Sequence, residues 1–441
     1  MINKKLLATA GIVGLFAGSA FADVGHAASH DLSVKIGGMF DGYAISRAGT
    51  NISNITENNA FMGFATDSFV WLEAMNTTAK GLEYGAHVGL TAHAQSSRNP
   101  ANATTSMDNT YMWVSHKDYG RMEFGSNDDV SASMRVGADT IAVASGGISG
   151  NWFQGAINTN FLGKTTNGVS PYEFILTPWD VSDNKLNLDL NSENYREGLG
   201  HATYQEKARK LNLYSPKWYG VQAGFSWTPD SRNVGNKAAL PNAGSSNNAG
   251  LSDVYSAGLT WDGKIMNDLT GGASLVGVWG SARPGSTNGT TGVAPAAPTR
   301  GVDVGGMLMY KDMKAALSYG YLDNTGFLKN VKNSSVQYAT AGLAYNFDKL
   351  HTSLTYMYGS KNKNTSNIAS LGAEYALATG IMPYAEATYY DLDLKRRGGL
   401  ALPSSAENAP GTFPTADAGA ISNLHKEANG VVFIIGTKLK F

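Results

Sequence analysis

The chain contains no cysteine, so no disulfide holds it together and it must rely on burial and backbone pairing. Charge is sparse, at 16% of residues, with 34 Lys and Arg against 35 Asp and Glu and a net of −1 at pH 7. Without a basic excess, nucleic acid is not an expected partner. Beyond residue 22 no stretch of eighteen apolar residues occurs, which excludes a membrane-spanning helix there. The signatures HExxH, GxSxG and GxxxxGK[ST] are absent, so no catalytic motif is legible and no enzyme is expected. Residues 180–193 (DVSDNKLNLDLNSE) are rich in oxygen donors but lack the glycine and spacing of an EF-hand loop. No metal or cofactor is expected.

What is present is alternation. Residues 431–441 (VVFIIGTKLKF) place Val431, Phe433, Ile435, Thr437, Leu439 and Phe441 on one face of a strand. Val432, Ile434, Gly436, Lys438 and Lys440 fall on the other. The segment has the length of a tilted membrane-spanning strand. A bare hydrophobic strand at the end of a soluble chain leaves an unpaired edge, which a closed barrel removes. Residues 82–95 (LEYGAHVGLTAHAQ) carry the same code, apolar on one face and polar on the other. Because barrel strands are polar at every second position, a mean hydropathy of −0.20 is compatible with a membrane.

The N-terminus reads as an export signal. Lys4 and Lys5 precede an apolar stretch over 6–21, and Ala20-Phe21-Ala22 fits the small-x-small cleavage rule, giving a mature start at Asp23. From there the alternation predicts sixteen strands in one domain, 23–441. They are 31–45, 68–76, 82–95, 109–117, 121–125, 207–215, 221–228, 254–261, 269–282, 301–311, 313–322, 336–347, 350–360, 367–377, 381–391 and 429–441. Short turns alternate with long connectors rich in Gly, Ser, Asn, Thr, Ala and Pro, the pattern of a transmembrane antiparallel β-barrel. An even count puts both termini at the short-turn end. The strand code lapses over 126–206, a connector of about eighty residues with its own aromatics, which at that length is expected to be folded.

These residues resemble the Gram-negative general porin family. The resemblance rests on the terminal strand ending in Phe441 and on Gly120-Arg-Met-Glu-Phe-Gly125 before a long third loop. It rests also on Leu211-Asn-Leu-Tyr-Ser-Pro216 followed by Gly220 and a strand closing on Pro229, and on the sixteen-strand rhythm. Two departures are visible: the aromatic before the Ser-Pro pair is shifted by one, and the third loop is longer than usual for the family. The resemblance implies a homotrimer of water-filled pores in a bacterial outer membrane, in contact with its lipid. It also implies a third loop that folds inward and sets acids against basic wall residues.

On that basis the constriction candidates are Arg121, Lys210 and Lys314 on the wall and Asp128, Asp129 and Asp139 on the loop. Glu83, His87, His93, Glu123, Glu374 and Glu386 are expected to line the lumen, with Asp303 also facing inward and Lys438 and Lys440 nearer the rim. Charges of this kind select ions electrostatically in a confined space. Tyr84, Tyr255, Trp261, Tyr310, Tyr345, Tyr358 and Phe441 are expected to form girdles at the lipid headgroups. The function expected is passive diffusion of ions and small hydrophilic solutes. Two rivals are a barrel-anchored adhesin or antigen acting through its long loops, and a hydrolase using Ser115 and His116.

Overall fold

The computed structural model describes residues 32–50, 62–92, 105–153, 208–230, 251–282, 298–323, 336–361, 363–393 and 427–441. The expected leader, His93, the oxygen-rich stretch at 180–193 and most of the long connectors lie outside these residues. Sixteen strands are present. The first eight are β1 (Ser33–Thr50), β2 (Met62–Thr77), β3 (Glu83–Ala92), β4 (Thr105–His116), β5 (Gly120–Ser126), β6 (Arg209–Tyr214), β7 (Val221–Asp230) and β8 (Leu251–Met266). The second eight are β9 (Leu269–Ala282), β10 (Thr299–Tyr310), β11 (Met313–Asp323), β12 (Val336–Phe347), β13 (Leu350–Lys361), β14 (Asn364–Tyr375), β15 (Ile381–Asp393) and β16 (Glu427–Lys440).

Each strand pairs antiparallel with its sequence neighbours, and β16 returns to β1, so the sheet closes. The seam runs from Met39 opposite Lys440 to Thr50 opposite Asn429. Phe441 extends it, exchanging backbone hydrogen bonds with Gly38 at 2.9 and 3.2 Å. Closure matters because hydrocarbon offers no water to an unpaired N–H or C=O.

Directly paired residues share a face, so the register carries one division of side chains around the cylinder. On β13, Leu354 and Tyr356 point outward, 52% and 42% exposed, while Ser353, Thr355 and Met357 point inward and are buried. On β16, Phe433, Ile435 and Leu439 face out and Val432 and Ile434 face in. The exposed outward row is apolar all round, as a lipid-facing surface requires. Of the aromatics expected at the girdles, Tyr84, Tyr310, Tyr345, Tyr358 and Phe441 are exposed on the outer face. Tyr255 is half-buried, its ring 5.9 Å from that of Trp279.

The turns at one end are tight. Lys311-Asp312 and Asp348-Lys349 connect their strands directly, and Lys311 and Asp348 adopt φ of 50° and 54°. Two-residue hairpins need that left-handed backbone to match strand twist. The other end carries the long connectors, with one exception at 362–363, where β13 and β14 are paired up to Lys361 opposite Asn364. The expected strand 367–377 therefore starts earlier, at Asn364. Several other strands also run further than the alternation predicts: β1 to Thr50, β2 from Met62 and β8 to Met266.

Candidate functional site: the segment inside the barrel

After β5 the chain turns inward. Residues 127–153 run across the inward faces of successive strands as short helical pieces: one turn of α-helix, α1 (Val130–Ser133), then 3-10 turns at Ala138–Ile141 and Gly147–Ser149. Asp129 caps α1, accepting from the Ala132 amide at 3.0 Å. Such short pieces leave many backbone amides without internal partners, and buried amides must be satisfied elsewhere.

The wall supplies those partners. The Val130 amide donates to Ser226 Oγ on β7 at 2.8 Å, and that of Val136 to Ser274 Oγ on β9 at 2.9 Å. The Ala138 amide reaches Thr340 Oγ1 on β12 at 3.2 Å. On β13, Ser353 Oγ accepts from Val143 at 3.0 Å and Thr355 Oγ1 from Ile148 at 3.2 Å. Ser256 on β8 works in the other direction, donating to Asp129 Oδ2 at 2.9 Å.

At the far side the partners are carboxylates. Glu386 on β15 accepts from the Ser145 amide at 3.1 Å, the Gly147 amide at 3.0 Å and Ser145 Oγ at 2.6 Å. Glu374 on β14 accepts from the Ala144 amide at 3.3 Å. Ala144, Gly146 and Gly147 all have positive φ, of 57°, 122° and 63°. A turn of this kind points successive amides to one side, forming a concavity for an anion, and here the anions are carboxylates of the wall, Glu386 for the Ser145 and Gly147 amides and Glu374 for that of Ala144. Lys438 on β16 donates to the Ala144 carbonyl and lies 3.3 Å from Glu374. Lys438 was expected at the rim; instead it fastens the segment.

The wall is also hollowed to receive the chain. A Cβ on Gly305 would stand 1.7 Å from the Val136 carbonyl oxygen, and one on Gly224 would stand 2.4 Å from Met134 Sδ. Gly258, Gly342 and Gly372 meet the same segment within 3.1 Å. Replacing Gly305 by Ala is therefore expected to push Val136 off the wall at a cost of about 1–3 kcal/mol, the usual range for overpacking. Gly306→Ala is the control, since its Cβ would meet nothing closer than 3.7 Å. Limited proteolysis of 127–153 within an intact barrel checks the pair: faster cleavage in Gly305→Ala alone is the expected result.

Between the two ends lies a buried ionic cluster. Arg135 pairs with Asp139, their side chains 1% and 3% exposed, and Arg135 Nη1 donates to Tyr338 OH at 3.4 Å. Tyr338 in turn donates to Asp303. Burial alone would lower the pKa of Arg135, but Asp139, Tyr338 and Asp303 outweigh it and raise the value, so the guanidinium stays charged.

The constriction candidates thus sit in different settings. Lys210 donates to the Asn127 carbonyl and is buried. Asp128 accepts through its carbonyl from Asn212 at 2.8 Å. Asp129 caps α1 and Asp139 binds Arg135, so neither is set against Arg121, Lys210 or Lys314 by an ion pair among the described residues. Arg121 pairs with Glu123 at 2.6 Å and lies over the Trp113 ring at 4.3 Å. Glu123 also accepts from Asn127 Nδ2 at 2.6 Å. Lys314 is half-buried on β11, beside Met309 and Ala344.

The opposite wall, β1 to β5, presents a different surface. Lys35, Glu73, His87 and Tyr111 are paired in one row across β1 to β4, with Glu83 further toward the short-turn end of β3. The His87 ring stacks between Trp71 and Tyr111 at 5.9 and 5.1 Å. Ser115 faces inward with Arg121, whereas His116 has the outward parity and accepts from the Asp118 amide at 3.2 Å. The sheet separates the two, so they do not form a nucleophile-base pair.

The inward Ser, Thr and Gly residues of β7 to β14 are the part of the site that the sequence reading did not single out. Their signal was available: small or hydroxylated inward residues recur on neighbouring strands.

Comparison with known proteins accords with this architecture. The profile of the family described as Gram-negative porin matches residues 8–394. An uncharacterised protein of Rickettsia prowazekii (strain Madrid E) is 26% identical, covering 99% of this chain and 100% of its own length. Among solved structures, the anion-selective porin from Comamonas acidovorans superposes with a TM-score of 0.54 at 12% identity, covering 93% of this chain and 100% of that one. OmpT of Vibrio cholerae, an outer membrane protein in trimer form, gives 0.50 at 13% identity, with 93% and 99% covered. At such identities the structures speak to fold alone. β16 lies beyond the stretch matched by the family profile, yet it pairs on both sides with strands inside it, so profile and closed sheet describe one body, and the chain belongs to the Gram-negative porin family.

Proposed function

We propose that this barrel is a water-filled channel through which ions and small hydrophilic solutes diffuse passively across a bacterial outer membrane. The observation that carries the reading is the segment 127–153: it is fastened to one side of the inner wall, from Glu123 on β5 round to Glu386 on β15, and among the described residues it leaves the inward faces of β2 to β4 outside its hydrogen bonds. A lumen narrowed in this way filters solutes by size and by the charges left facing it. Arg121 and Lys314, half-buried on the inward face, act on passing ions. Lys210, Asp129 and Asp139 hold the segment in place. The N-terminal signal exports the chain, and the subunit assembles as a homotrimer, a reading supported by the trimer form of the Vibrio cholerae protein. No catalytic step is assigned.

Planar-bilayer recording tests the channel. Purified protein is expected to produce stepwise currents, and liposomes containing it are expected to admit small sugars faster than large ones. Membranes that stay silent at saturating protein would overturn the reading.

A further inference from the structure

Two tyrosines cross a strand of the inner wall in the same way. Tyr338 on β12 is paired with Gly320 on β11, and Gly320 with Asp303 on β10. Tyr384 on β15 is paired with Gly436 on β16, and β16 adjoins β1. Each ring fills the space that a side chain on the glycine would need. A Cβ on Gly320 would stand 2.2 Å from the Tyr338 ring, and one on Gly436 would stand 2.6 Å from Tyr384 Oη. A glycine in the middle strand thus lets the phenol pass over it. Each hydroxyl ends on an aspartate one strand further on. Tyr338 donates to Asp303, and Tyr384 donates to the Asp41 carboxylate on β1, 3.0 Å from each of its oxygens. All four side chains are buried.

Both clasps also adjoin a cation that binds the inserted segment. At the first, Arg135 of the segment donates to Tyr338 OH. At the second, Lys438 is paired with Asp41, and its Nζ lies 5.2 Å from the centre of the Tyr384 ring, within reach of the attraction between a cation and an aromatic face. The same Nζ donates to the Ala144 carbonyl. On its other side Asp41 is paired with Asp67 of β2, a like charge and an unfavourable neighbour. Its attractive contacts are with Tyr384 and Lys438. Among the described residues Asp41 makes no hydrogen bond to 127–153.

We infer that Asp41 and Tyr384 clasp the barrel seam across β16 and, through Lys438, position the 143–147 turn of the inserted segment. They are positioning residues for that turn. The clasp draws on β15, β16 and β1 together, so it exists only once the first strand has met the last. Lys438 then has Asp41 beside it and the Tyr384 ring within reach, which fixes its approach to Ala144. Closure of the cylinder and seating of the segment are coupled in this way. The coupling does not require an open pore, so it stands apart from the channel reading.

Variants at the two ends of the clasp test it. Tyr384→Phe removes one oxygen and keeps the ring over Gly436, whereas Asp41→Ala removes the acceptor. Two properties of the folded barrel are measured: the temperature at which its compact band on a denaturing gel is lost, and the rate of limited proteolysis within 127–153. Both variants are expected to lose the band at a lower temperature. Both are also expected to be cleaved in the segment about fivefold faster than the parent, since a hydrogen bond to a charged acceptor is gone and local opening rises with its loss. The double variant is expected to match Asp41→Ala and not the sum of the two, because one bond is shared. Tyr390→Phe is the control. Tyr390 stands over Gly430 on the same two strands, and its hydroxyl bonds to no acid among the described residues. The ring that it stacks on Trp152 is kept, so parental behaviour is expected. Phe441→Ala loosens the seam away from Lys438 and is expected to leave segment cleavage slow. Unchanged heat stability in Tyr384→Phe would refute the clasp, and unchanged segment cleavage would refute the coupling. Cleavage as fast in Phe441→Ala as in Tyr384→Phe would show general loosening instead of positioning and would overturn the inference. If Asp41→Ala yields no folded barrel, Tyr384→Phe decides alone.

Discussion

Removal of residues 427–441 is expected to abolish the folded barrel. β16 is bonded to β15 from Ile381–Leu439 to Asp393–Glu427 and to β1 from Met39–Lys440 to Thr50–Asn429. Without it, β15 and β1 are two open edges inside hydrocarbon. Each unpaired backbone group there costs several kcal/mol. A handful of such groups exceeds the roughly 5–15 kcal/mol by which a typical domain is stable. The segment 127–153 would also lose its contact with Lys438. The truncated chain should show no heat-shifted compact band on a denaturing gel and no protection from protease in liposomes. Phe441→Ala is the milder companion: it removes the ring that stands 2.7 Å from a Cβ built on Gly38 but keeps the backbone bonds of residue 441. That variant should still fold, with reduced yield. A truncated chain that migrated as a compact, heat-modifiable species would show that closure does not need β16.

Alternation sufficed to find the strands because the two sides of each one meet different solvents, oil and water. The pattern is strongest where both solvents are present, as along β13 and β16. It was weakest at strand ends. β1 continues past Ile45 through Ser46, Arg47 and Ala48, and β2 begins at Met62 rather than Ser68. β8 runs past Trp261 through Asp262, Gly263 and Lys264. Beyond the hydrocarbon the outward face no longer has to be apolar, so the contrast fades while backbone pairing continues. Composition alone therefore marks the greasy length of a strand and not its hydrogen-bonded length.

The interior was legible by face and not by contact. Parity assigns Asp303, Glu374, Glu386 and Lys438 to the lumen side, but it does not say which of them touch the chain that enters the barrel. Asp129 and Asp139 read in sequence as acids on a loop; in the structure one caps a helical turn and the other neutralises an arginine four residues earlier. The charges are also arranged in reverse of the family expectation at three places. Wall carboxylates, Asp303, Glu374 and Glu386, face donors carried by the segment or by the wall beside it. The clue in sequence was the row of inward glycines and hydroxyls, which makes sense only once a backbone is laid across it.

The second large effect is expected at Arg135. Substitution by Met keeps much of the side-chain volume and removes the charge. Asp139 and Asp303 would then remain near each other, buried and without their counter-ion, with Tyr338 as the group between. Breaking a buried pair from one side typically costs about 3–5 kcal/mol, because the remaining charge is left uncompensated. The barrel itself does not need Arg135, since its strands are paired through the backbone. The cost is most easily relieved by residues 135–139 leaving the wall. The expected outcome is a folded barrel with a larger and noisier single-channel current and a segment open to protease. Removing every charge of the cluster in Arg135→Met/Asp139→Asn/Asp303→Asn should restore much of the parental behaviour, since no uncompensated charge is then left buried. Parental current and protection in the single variant would show that the cluster is not what holds the segment down. An open channel in the single variant that the triple variant closes again would identify the buried charge, rather than lost packing, as the cause.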